Sequence, residues 1–145
     1  MSPALRITAL VAFIGLASTS AHAAGDAAKG ENVFKKCTTC HRIGEGARNQ
    51  VGPVLTGVIG RQAGTVEGYS YSALNKAAGE NGLVWTEDRI IEYLNDPNPF
   101  LRKFLTDKGK ASQATGSTKM TFKLPNEQER QDVVEYLKKF STSTR

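Results

Sequence analysis

Apolar residues along this chain recur at three- and four-residue spacing in several short stretches, and nowhere alternate long enough to mark a useful strand. The first stretch, Asp26 to about Cys37, predicts a helix that Asp26 caps, with Ala27, Ala28, Val33 and Phe34 on its apolar side. A second, short helix runs from about Ser72 to Ala78 and ends near Gly79. Thr86 caps a third, with Glu87 and Asp88 in its first turn, Ile90, Ile91, Tyr93 and Leu94 on one broad face, and Pro97 as its stop. Asn98-Pro99 starts a fourth that passes Phe104 and reaches about Asp107, before Gly109. The last begins at Asn126, with Glu129 three residues on, and places Val133, Tyr136, Leu137 and Phe140 at helical spacing. Between these elements, residues 42–70 hold seven Gly and Pro53, and residues 109–119 are small and polar; both read as loop. The tail from Ser141 is polar and expected to fray. There is no internal repeat, and the pattern predicts one all-α domain over residues 24–145.

Residues 1–23 read differently. Arg6 is their only charge, an apolar run follows from about Ile7 to Ala17, and Ala21-His22-Ala23 fits a small-x-small cleavage site. The run is shorter than the roughly 20 residues that span a bilayer. It predicts a cleaved secretory signal peptide and an exported, soluble product. An uncleaved segment would instead make the protein an anchored one.

Composition adds little until that segment is set aside. The 145 residues carry 39% hydrophobic and 23% charged positions, an ordinary globular mix, with a net charge of +5. Two Cys exclude a disulfide-dense scaffold and a four-thiolate metal site. Without residues 1–23 the chain keeps one His (His41), one Met (Met120), and the pair Cys37 and Cys40.

Cys37-Thr38-Thr39-Cys40-His41 is a C-x-x-C-H motif. Two thiols at this spacing can add across the two vinyl groups of a haem, and the adjacent His then falls under the iron, so the pattern reads as c-type haem attachment. A thioredoxin-like site would need a βαβ unit, a zinc site lacks ligands, and a plain disulfide leaves His41 unused. Haem iron has a second axial position. Tyr and Lys are conceivable there, but Met120 is the one remaining sulfur and sits in a loop, Ser117-Thr118-Lys119-Met120-Thr121-Phe122. A Met/His pair raises the reduction potential and closes the iron to substrates. That pattern suits electron transfer and not catalysis, since no nucleophile or general base can be assigned. A haem peroxidase or a gas-binding sensor would need an open sixth position instead.

Lys35 and Lys36 precede the motif, and Lys119 and Lys123 flank Met120. If both segments rim one haem edge, these lysines form a ring that steers acidic docking surfaces. No nucleic-acid-binding motif is present, and export would remove that partner.

The stretches GDAAKGENVFKKCTTCH, GPVLTGVIGRQAG, YSYSALN, WTEDRIIEYLNDP, TKMTF and ERQDVVEYLKKF occur in this order from Gly25 to about Phe140. Together they resemble the class I cytochromes c, of the cytochrome c2 type. The resemblance implies about five helices and Gly-rich loops wrapped around one covalent haem c. It implies that Gly30 and Phe34 pack against Tyr136 and Leu137 where the first and last helices cross. It implies that Pro53 presents its carbonyl to the His41 ring, and that Arg61, Tyr71 and Trp85 hydrogen-bond the haem propionates. Asn75, Tyr93 and Thr118 would form a polar network beside Met120. The implied role is a monomeric periplasmic one-electron carrier that docks transiently. A cytochrome bc-type complex would be its donor, and a photosynthetic reaction centre or terminal oxidase its acceptor. One departure stands out: about Phe100–Ser117 resembles the insertion of longer bacterial members, with consequences for the Met120 loop and partner choice.

Overall fold

The computed structural model describes residues 24–141, so the expected signal peptide lies outside the described residues. Among the described residues there are five helices: α1 (Ala27–Phe34), α2 (Ala73–Glu80), α3 (Glu87–Asn95), α4 (Pro97–Asp107) and α5 (Glu127–Lys138), with a short 3-10 turn at Ala111–Gln113. The one β-type pairing among the described residues is an isolated bridge between Gln62 and Val84. The fold is all-α.

The expected caps form where the sequence puts them. Asp26 accepts from the Ala28 and Lys29 N–H groups, Thr86 from Arg89 and Asn126 from Glu129, and Ser72, expected as the first residue of its helix, instead caps α2 by accepting from Asn75. Three other boundaries differ from the sequence reading. The first helix stops at Phe34, and the chain continues through tight turns in which the Val33 and Phe34 carbonyls accept from Lys36 and Cys37. Pro97 does not merely stop α3: it is the first residue of α4, where a missing N–H costs nothing. The expected 109–119 loop contains the 3-10 turn.

α1 and α5, from opposite ends of the chain, cross in close contact. A Cβ at Gly30 would collide with the Asp132 carbonyl and lie 2.9 Å from Tyr136 Cβ, so this crossing requires glycine. Beside it the Phe34 and Tyr136 rings meet at 5.3 Å. The seam is closed by Asp132, which is buried and accepts from the Asp26 N–H at 2.8 Å and from Gln128 Nε2 at 2.9 Å.

Arg130 is also buried. One of its terminal nitrogens donates to the Leu124 and Pro125 carbonyls and to Asn95 Oδ1, which ties α5 to the end of α3 and to the chain entering α5. Leu74, Leu83, Leu101, Leu105, Val133 and Val134 complete the inaccessible core. Helices and loops together enclose a largely apolar hollow lined in part by the turn after α1.

Candidate haem site

The turn after α1 organises the motif. The Cys37 carbonyl accepts both the Cys40 N–H (3.1 Å) and the His41 N–H (2.9 Å), which closes the five residues into one tight loop. No disulfide joins the two cysteines. Burial pushes the Cys37 thiol up to about 11, with Lys36 nearby opposing the shift.

His41 Nδ1 lies 2.8 Å from the Pro53 carbonyl oxygen. A carbonyl can only accept, so Nδ1 carries the proton and Nε2 is left bare. Burial lowers the His41 pKa, the Pro53 carbonyl opposes this, and Arg61 adds to it, so the ring is neutral at neutral pH. The ring rests against Gly52. A Cβ there would sit 2.7 Å from Nδ1 and 2.8 Å from Nε2, inside van der Waals contact. Of the seven glycines in residues 42–70, six adopt positive φ and Gly52 does not. Gly52 is glycine for room and not for backbone freedom.

These groups face a cavity of about 460 Å³, within the roughly 300–1,000 Å³ range of cofactor pockets. Cys37, Cys40, His41, Pro53, Arg61, Tyr71, Asn75, Trp85, Tyr93, Thr118 and Met120, separated by up to 83 positions in the chain, all line it. Leu55, Val58, Ile90, Leu94, Val133 and Leu137 supply apolar wall.

The polar groups are held in particular ways. Arg61 is half-buried, and its two terminal nitrogens donate to the Val54 (3.0 Å) and Thr56 (3.2 Å) carbonyls. Burial lowers its pKa, opposed by Tyr71. The Tyr71 hydroxyl accepts from the Val66 N–H at 3.3 Å and keeps its own proton to donate. Trp85 packs its ring against Tyr93 at 4.8 Å and Phe100 at 6.2 Å. Burial raises the Tyr93 hydroxyl to about 12, and a side-chain hydrogen bond with Thr118 opposes the rise. Asn75 Oδ1 is buried and has no partner among the described residues.

The Met120 loop is pinned from several directions. Asn98 Oδ1 accepts the Thr118 N–H at 2.9 Å, Thr118 Oγ1 accepts the Met120 N–H at 3.3 Å, and Lys119 Nζ donates to the Ser70 carbonyl. The Leu124 N–H closes the loop onto the Leu94 carbonyl at 2.7 Å.

Of the four lysines singled out in the sequence, Lys36 and Lys119 line the cavity and Lys35 and Lys123 do not. Lys36 pairs with Glu129 at 2.8 Å and Lys123 with Asp96 at 2.5 Å. Two of the four are therefore ion-paired within the molecule, while Lys35 donates to Asn32 Oδ1 at 2.8 Å and Lys119 to the Ser70 carbonyl. Sequence reasoning also missed Gly52, and Tyr69, whose hydroxyl donates to the Val51 carbonyl at 2.8 Å on the cavity wall. The signal for Gly52 was its place just before Pro53. Tyr69 offered none beyond its nearness to Tyr71.

Comparison with known proteins decides what the hollow belongs to. The sequence profile described as "Cytochrome c" matches residues 27–141. This chain belongs to the cytochrome c family. Cytochrome c2 iso-2 of Rhodospirillum centenum is 70% identical over 117 residues, covering 81% of this chain and 97% of that protein. Cytochrome c2 of Rhodopseudomonas palustris strain ATCC BAA-98 / CGA009 is 61% identical over 133 residues, covering 92% and 94%. The solved cytochrome c2 structure from Rhodospirillum centenum superposes with a TM-score of 0.80 at 70% identity, covering 81% of this chain and 99% of that one.

As a cytochrome c the chain is an electron carrier and not an enzyme, and its cofactor is one covalently attached haem c. The hollow fits such a group. Its walls are mostly apolar, and a bare imidazole nitrogen, two thiols and a thioether are the soft and borderline donors that haem chemistry uses.

Proposed function

We propose that this cytochrome c is an exported one-electron shuttle whose haem is held by Cys37 and Cys40 and axially ligated by His41 and Met120. When bound, the haem supplies a one-electron Fe(II)/Fe(III) couple. The observation that carries the reading is the Pro53–His41 bond over Gly52. It leaves Nε2 as an unprotonated donor beside the same cavity that Met120 lines. Such an outer hydrogen bond fixes ring orientation and raises ligand basicity.

The remaining residues have supporting parts. Tyr71 and Trp85 have a hydroxyl and an indole N–H to offer a propionate, and Arg61, which spends two of its five N–H groups on the Val54 and Thr56 carbonyls, keeps donors for the same purpose. Asn75, Tyr93 and Thr118 make the polar side near Met120. Lys35, Lys36, Lys119 and Lys123 form the docking field for an acidic partner surface. A membrane cytochrome bc-type complex as donor and a photosynthetic reaction centre or terminal oxidase as acceptor fit this role. So do periplasmic export by cleavage after Ala23, a mature domain over residues 24–145, and a monomer that docks transiently. N-terminal sequencing of the purified protein should begin at Ala24.

The central test is Met120→Ala. It should keep covalent haem, lower the reduction potential and let carbon monoxide bind the reduced protein. An unchanged potential and spectrum would remove Met120 from the ligand set.

A further inference from the structure

Residues 114–120 have no regular secondary structure, yet one helix face controls their path. Arg102, in the middle of α4, donates from one terminal nitrogen to the Ala114 carbonyl at 2.5 Å and from the other to the Gly116 carbonyl. Four residues earlier, on the same face, Asn98 Oδ1 accepts the Thr118 N–H at 2.9 Å. The bonds from α4 thus reach residues 114, 116 and 118, alternate positions of the strand of chain that leads to Met120. Thr118 passes the constraint on, because its hydroxyl accepts the Met120 N–H.

The helix that carries these two side chains is itself fixed. Leu101 and Leu105 are fully buried, Pro97 is buried beneath its first turn, and Phe100 packs on Trp85 and Tyr93 in the cavity wall. At the far end of the segment, Asn81 Nδ2 donates to Gln113 Oε1 at 2.7 Å, tying the 3-10 turn to the C-terminus of α2. Arg102 is exposed, so its bonds add little to global stability. What they add is geometry: a planar fork can hold two carbonyls at once, and an ammonium cannot do so in the same way.

We propose that Arg102 and Asn98 are positioning residues for Met120, with α4 acting as a splint for residues 114–118. The proposal rests on the reading of Met120 as the axial ligand. It gives α4 a purpose beyond the core: the helix steers the thioether.

The test uses the haem-loaded protein with Arg102→Ala, Arg102→Lys, Asn98→Ala and Asn98→Asp, and Met120→Ala in parallel. Three readouts are followed: amide hydrogen exchange at residues 115–118, the thioether-to-iron absorption band of the oxidised protein, and the reduction potential. Arg102→Ala should speed exchange there by about tenfold or more, weaken the band and lower the potential. Arg102→Lys should fall between it and the parent. Asn98→Asp keeps an acceptor for the Thr118 N–H and should behave as the parent, whereas Asn98→Ala should not. Faster exchange with an unchanged band and potential would overturn the positioning role, as would no change in any readout. If Met120→Ala itself left band and potential unchanged, the ligand assignment would fall instead. Should Arg102→Ala fail to accumulate, Arg102→Lys and Asn98→Ala carry the same comparison.

Discussion

The two sides of the cavity are held by different kinds of bond. On the His41 side the constraints are short in sequence. The Cys37 carbonyl closes the motif within five residues, and Pro53 reaches His41 from twelve positions away. On the Met120 side they are long: Asn98 acts over 20 positions and Ser70 over 49, and Leu94 holds Leu124. A ligand held locally is built into its peptide. A ligand held at a distance depends on the whole fold, and is the one that local unfolding releases first. Under the proposed ligation, anchoring falls to the His41 side and tuning to the Met120 side.

The strongest way to break this contrast is to attack the local side sterically. Gly52→Val forces a side chain into the His41 ring and should cost about 3 kcal/mol of stability, with loss of the normal axial spectrum. Denaturant titration and absorption spectra check it, and a parent-like protein would show that the loop can retreat. Next comes the distant side. Arg130→Met keeps the buried stem but leaves the Leu124 and Pro125 carbonyls and Asn95 without their donor. We expect a loss of about 2 kcal/mol, with the Met120 band lost at lower denaturant than the helical circular-dichroism signal. Simultaneous loss of both signals would erase the distinction between the two sides.

The smallest effect concerns the rim. Glu129→Gln and Asp96→Asn free Lys36 and Lys123 from their ion pairs. Exposed pairs of this kind contribute on the order of 0.5 kcal/mol or less to stability, so folding should hardly change. Association with an acidic redox partner should rise roughly twofold to fivefold at low ionic strength and return to the parent rate at high salt. Rates that ignore both substitution and salt would remove these two lysines from the docking field.

The same contrast explains what was legible beforehand. The motif, His41 and the caps at Asp26, Thr86 and Asn126 are local signals, and the structure forms those caps as read. Met120 was legible through scarcity, as the remaining sulfur once residues 1–23 are set aside. Arg130 and Asp132 were not. In ERQDVVEY they look like the solvated face of a helix, and only the fold reveals that Asp26, Leu124 and Pro125 converge on them. The helix boundaries at Phe34 and Pro97 shifted because a proline both ends and begins helices, and because three-residue turns continue α1 without completing it. The pairing of Lys36 and Lys123 was hidden for a similar reason: Glu129 lies 93 positions from one and Asp96 lies 27 from the other.

The crossing of α1 with α5 carries a consequence for the order of events in the cell. Asp26 and Asp132 are 106 positions apart, and a loop of that length costs about 4 kcal/mol to close. A chain made from its N-terminus cannot shut this seam until its final helix exists. Cys37 and Cys40 emerge almost a hundred residues earlier, in a chain that has yet to bury them. The interval between those two moments is when the thiols can be reached, and α5 is the helix that ends it.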